Sequence, residues 1–69
     1  MEFGQRLQYL RERKRMNRKA LSELCGLHAD AVRRYERGEQ EPTAHALIAL
    51  ADFFDVSVDY LLGREKDIH

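Results

Sequence analysis

An all-α fold of five short helices is what this sequence predicts, and three observations carry that reading. Apolar residues recur at three- and four-residue spacing in five separate stretches. Residues suited to helix caps and stops stand between those stretches. Glycine and proline are scarce, at four and one in 69 residues, so the punctuation of a strand-and-turn fold is missing.

Phe3, Leu7 and Leu10 recur at helical spacing among Arg, Gln and Glu, which predicts an amphipathic helix over 2–14. Met16 follows it, and Asn17 is a good N-cap for a second helix starting at Arg18. Leu21, Leu24 and Cys25 form that helix's expected buried stripe, and Gly26 stops it in the left-handed conformation glycine adopts cheaply. A third helix must follow within two or three residues, over about 29–37, because Val32 and Tyr35 already show helical spacing and Gly38 ends the run. Rotation by about 100° per residue puts Ala31, Val32 and Tyr35 on one face and Asp30, Arg33, Arg34 and Arg37 on the other. Residues 38–42, GEQEP, are turn material. Thr43 caps a fourth helix with the stripe Leu47, Leu50, Ala51 and Phe54, and Asp55 takes a left-handed turn after it. Ser57 caps a short fifth helix with Val58, Leu61 and Leu62 inward, ended by Gly63. Residues 1–63 therefore read as one domain and 64–69 as a charged tail. The second and third helices flank a turn too short for an antiparallel hairpin, which is the helix-turn-helix arrangement.

A chain of 69 residues has room for one core. Its single cysteine forbids an intrachain disulfide, and no apolar run reaches membrane-span or signal-peptide length, so a cytoplasmic protein is expected. Twelve basic and twelve acidic residues cancel, but not evenly along the chain. Arg6, Arg11, Arg13, Lys14 and Arg15 outnumber Glu2 and Glu12 over 1–16, whereas acids outnumber bases after residue 42. A basic end can face phosphates while an acidic end faces water or a partner. Ordinary solvated helix faces would give the same asymmetry.

The run NRKALSELCGLHADAVRRYERGEQEP, followed by LIALADFFDVSVDYLLG, resembles the Cro/phage-repressor (XRE-type) helix-turn-helix family. The resemblance covers residues 3–63. It is carried by Leu21, the turn glycine Gly26, Val32, the YERG tetrad at 35–38, Pro42 and the closing VSVDYLLG at 56–63. It implies a five-helix bundle of the phage-repressor type that binds double-stranded operator DNA, usually as a dimer. In such domains the third helix enters the major groove and the second lies across the backbone. Carried over residue by residue, it places Ala29, Asp30, Arg33 and Arg34 toward bases. Asn17, Arg18 and Arg37 then face phosphates, and Glu36 pairs with Arg11 of the first helix. The sequence departs from the family in four places. Arg18 replaces a glutamine, His28 stands where Ser or Thr caps the third helix, Glu39 and Glu41 occupy the loop, and Asp30 puts a carboxylate on the reading face.

Chemically, Arg33 and Arg34 suit sequence readout, because a guanidinium donates two parallel hydrogen bonds to guanine O6 and N7. Arg34 lies nearer the centre of the exposed face and takes the base; Arg33 alternates between base edge and phosphate. Asp30, four residues before Arg34, orients it as a buttress, accepts from cytosine N4, or simply lowers non-specific affinity. Arg18, Arg37 and Lys19 are the phosphate candidates, helped by free N–H groups at the start of the second helix. Three contacts per protomer in a dimer imply a salt slope of about −5. Arg13, Lys14 and Arg15 are expected to be solvated.

Cys25 and His28 have metal-like spacing, but no second pair completes a tetrahedron, so no metal site is expected. No nucleophile with a base, paired catalytic carboxylates or phosphate loop is found, and the composition points to no small-molecule ligand or cofactor. The expected function is a sequence-specific transcriptional regulator, read as a repressor rather than an enzyme. It would act as a weak homodimer on an inverted repeat, with a seam formed by Val58, Tyr60 and Leu61 or by Ile68. A protein-interaction or antitoxin-like module with weak DNA binding is the alternative that Asp30, Glu39 and Glu41 favour.

Overall fold

The computed structural model describes residues 2–64. Within them lie five helices: α1 Phe3–Arg13, α2 Arg18–Leu24, α3 Ala31–Glu36, α4 Ala44–Phe54 and α5 Val58–Leu61. The core draws on all five, with Leu7, Leu21, Ala31, Val32, Tyr35, Ala46, Leu50, Ala51, Phe54 and Leu61 buried in one cluster. Phe3 adds an aromatic contact to Tyr35, with ring centroids 5.8 Å apart.

Local chemistry sets the boundaries. Asn17 Oδ1 accepts from the Ala20 N–H at 2.7 Å, Thr43 Oγ1 from Ala46 at 3.1 Å, and Ser57 Oγ from Tyr60 at 2.9 Å. After α2, Gly26 at φ 73° lets its own N–H reach Glu23 O at 3.1 Å and the Leu27 N–H reach Ser22 O at 2.8 Å. That paired closure satisfies carbonyls the helix leaves open. Asp55 closes α4 at φ 57°, as expected, and Arg15 takes φ 56° after α1, which nothing in its side chain announces.

Three expectations need correction, and the cap that the departure at His28 removes has a substitute. The third helix is shorter than 29–37: Ala29 belongs to the turn and Asp30 is the residue before the first helical one. Leu24 is not part of a buried stripe; at 66% exposure it faces outward, and Leu21 with Ser22 fills the inner face of α2. Leu61 is fully buried, so it can supply no dimer seam, while Ile68 lies outside the described residues. His28 does not cap α3. That task falls to Ser22, fully buried on α2, whose Oγ accepts from the Val32 N–H at 3.0 Å and donates to Arg18 O at 2.9 Å.

Gly4 is helical, so its role is spatial rather than conformational. A Cβ built there would stand 2.6 Å from Tyr35 O and 3.0 Å from Glu36 O, both backbone atoms at the end of α3. Only the absent side chain lets α1 cross so close to that terminus.

Two stability predictions follow from these contacts. Gly4→Ala should lower stability by about 1–3 kcal/mol, the usual range for overpacking against atoms that cannot move aside. Ser22→Ala should cost a similar ~1–3 kcal/mol by stranding the buried Val32 N–H. Urea unfolding of each variant checks both; midpoints equal to the parent's would remove the roles given to Gly4 and Ser22.

Candidate nucleic-acid interface

The residues placed toward bases or phosphates all fall between Asn17, the cap of α2, and Arg37, the residue after α3. Burial of Ala31, Val32 and Tyr35 turns Arg33 and Arg34 to solvent, and Arg37 follows at the helix end. Ala29 is exposed in the turn, Asn17 caps α2 with its side chain, and Arg18 and Lys19 are exposed on the first turn of α2. The predicted set thus falls on the two helices, the turn between them and the two flanking cap residues.

The Asp30–Arg34 contact that their spacing allows is present, and the arginines are engaged more widely than that. Asp30 takes Arg33 in a two-pronged pair, Nε to Oδ1 at 2.6 Å and Nη2 to Oδ2 at 2.8 Å. Its Oδ2 also accepts from Arg34 Nε at 2.9 Å. Hydrogen bonds from Arg33 first, then from Arg34, hold the Asp30 carboxyl well below the usual carboxylate range. Arg37 Nε donates to Glu39 Oε2 at 2.8 Å, and Glu39 Oε1 lies 4.0 Å from Arg33 Nη1. No ion pair joins Lys19 among the described residues.

Glu36 stands behind this face. Arg11 of α1 clamps it with Nε at 2.6 Å from Oε2 and Nη2 at 3.1 Å from Oε1, and Arg11 Nη1 reaches Met16 O at 2.8 Å. The sequence-predicted pair is therefore present and buried, with side chains only 9% and 3% exposed. The Glu36 hydrogen bond raises the Arg11 pKa above its ordinary value. Unexpectedly, Arg18 Nε also donates to Glu36 Oε1, at 3.0 Å. One phosphate candidate is thus tethered to the structural pair, with half of its side chain in solvent.

Cys25 is half-buried against the core, its Sγ 3.9 Å from Ala49 O, and burial raises its thiol pKa. Among the described residues no group of three or more His, Cys, Asp or Glu could hold a metal ion. No helix among them is long and apolar enough to cross a membrane.

Arg11→Met should cost about 3 kcal/mol, the low end for breaking a buried pair, because Arg18 remains to serve Glu36. Arg11→Met with Glu36→Met should recover most of that loss, since an apolar pair strands no charge. Thermal melts of the two variants decide it; a single variant that melts with the parent removes the structural role of the pair.

The helix-turn-helix family profile matches residues 7–61. The chain is 41% identical over 61 residues to the HTH-type transcriptional regulator AnsR of Bacillus subtilis, covering 88% of this chain and 53% of AnsR. It is 33% identical over 66 residues to the HTH-type transcriptional activator BcrR of Enterococcus faecalis, covering 96% of this chain and 32% of BcrR. The chain therefore spans about half or less of these relatives. In structure it is similar to the P22 c2 repressor crystallised with a synthetic operator, at TM-score 0.86 and 31% identity, over 94% of this chain and 98% of that one. With that profile, those relatives and the α2–turn–α3 geometry in agreement, the chain belongs to the helix-turn-helix family of Cro/phage-repressor (XRE) type.

Proposed function

We propose that this chain is the sequence-specific DNA-binding part of a transcriptional regulator, reading the major groove with α3 as a dimer on an inverted repeat. The observation that carries the reading is the outward face of α3, where a buried Ala31–Val32–Tyr35 side leaves Arg33 and Arg34 toward solvent. The similarity to a repressor crystallised on its operator supports the same docking. Residues 1–63 form the DNA-binding unit, working in the cytoplasm. Arg34 takes a base, with Ala29 and Arg33 beside it. Asn17, Arg18, Lys19 and Arg37 lie toward phosphates. One recognition helix reads only a few base pairs, so a second protomer about 34 Å along the duplex is needed for useful specificity. A homodimer completed on DNA meets that need, and Val58 and Tyr60, both half-buried on α5, remain as seam candidates. The relatives include a named activator and a named repressor, so regulation in either direction fits; repression is the reading adopted.

The second reading, a protein-interaction module, draws on the pairing of Asp30, Glu36 and Glu39 with the arginines, which leaves less uncompensated charge for phosphate.

Selection from randomised duplex DNA at near-physiological salt separates the two. An enriched inverted repeat with half-sites about one turn apart is the expected outcome. Binding without sequence preference, and only at low salt, would move the function to the interaction module. On the selected site, Arg34→Ala should cost about 1–3 kcal/mol per half-site and relax the preference at one base pair in each. Arg37→Ala should weaken all sequences alike and, by removing one phosphate contact from each protomer of the dimer, reduce the salt slope by about 2.

A further inference from the structure

The chemistry of Asp30 goes further than a neutralising charge. It occupies the position before α3 at which aspartate ordinarily accepts a backbone N–H of the first helical turn. Here its side chain makes no such bond. Ser22, reaching across from α2, satisfies the Val32 N–H instead. Both Asp30 oxygens are thereby released for side chains, and both are used on arginines.

The two arginines are held differently. Arg33 gives Asp30 its side-on edge, Nε and Nη2. That is one of the two edges with which a guanidinium can grip the O6 and N7 of guanine. Arg34 gives only Nε. Its end-on edge, Nη1 with Nη2, carries no hydrogen bond or ion pair among the described residues. An arginine fixed at Nε and free at its tip has lost rotamer freedom before it meets DNA, which lowers the ordering cost of a two-bond contact.

We propose that Asp30 is the specificity-determining positioning residue of this interface. It holds Arg34 so that the tip of the guanidinium reads one guanine per half-site, and keeps Arg33 from competing for that base. The inference rests on the DNA-binding reading above and adds what positions the arginine that reads the base. Asp30 has a second effect through its charge. Standing beside both arginines, it opposes their capture by phosphates at random sequence, so discrimination rises as non-specific affinity falls. Glu39 exerts only this second effect, because its shortest contact is with Arg37 at the end of the helix.

The test is parallel selection from randomised duplex DNA with the parent, Asp30→Asn, Asp30→Glu and Glu39→Gln, together with binding to one fixed duplex lacking the selected site. Asp30→Asn should lose the guanine preference at a single position per half-site by about 10-fold, the scale of one good base contact. It should also bind the unselected duplex several-fold more tightly, with a salt slope steeper by about 1. Asp30→Glu, which keeps the charge, should restore most of the guanine preference. Glu39→Gln should steepen the salt slope while leaving the preferred base unchanged. Thermal melting of Asp30→Asn within a few degrees of the parent separates these effects from unfolding, since the side chain caps no backbone group. An Asp30→Asn variant that enriches the same half-site as the parent, guanine included, overturns the positioning role and leaves the DNA-binding function standing. A parent that enriches nothing overturns both.

Discussion

The Glu36 carboxylate is shared by a guanidinium from α1 and another from α2, and it sits on α3. Three helices of a small domain are thereby joined at one charged point. Burial makes such a joint demanding: an unpaired carboxylate at 3% exposure would be costly, so both oxygens need good donors. Arg11 meets that demand with two bonds and spends its third nitrogen on the Met16 carbonyl, fixing the connection that leads into α2. Gly4 belongs to the same joint, since the close crossing of α1 over the end of α3 brings the two buried side chains together.

On the outer side of α3 the same chemistry runs at the surface, with a different consequence. Arg33, Arg34 and Arg37 are paired with Asp30 and Glu39 in solvent, where ion pairs are weak and screened by salt. Such pairs orient side chains without holding them against a competing anion. A phosphate or a base edge can displace them, but the displaced carboxylate remains nearby and reduces the gain. A chain with formal net charge zero therefore presents an arginine-rich face whose charges are matched locally by Asp30 and Glu39. The buried and the exposed pairs differ in place: Glu36 ties α3 to α1 and α2, while Asp30 and Glu39 engage the arginines on its outer side.

Ser22 connects the two levels. By capping α3 from α2 it fixes the relation between the helices of the motif and frees Asp30 from the backbone. A small hydroxyl in the interior thus decides what a carboxylate at the surface can hold.

Much of this was legible in the sequence. Apolar spacing located all five helices, and Asn17, Thr43, Ser57, Gly26 and Asp55 marked their ends, because caps and left-handed stops depend on a residue and its near neighbours. The Arg11–Glu36 pair was reached through the family resemblance rather than through spacing, since the partners are 25 residues apart. The fold decided everything that depends on which helix passes where. Periodicity assigned Leu24 to the core, yet the crossing of α2 leaves it in solvent. It placed Leu61 inward, but could not show that Gly4 is an empty space or that Ser22 serves a different helix from its own. The division has one physical cause. A one-dimensional pattern records which face a side chain takes relative to its own helix axis, whereas burial, capping and pairing across helices depend on the distances between axes.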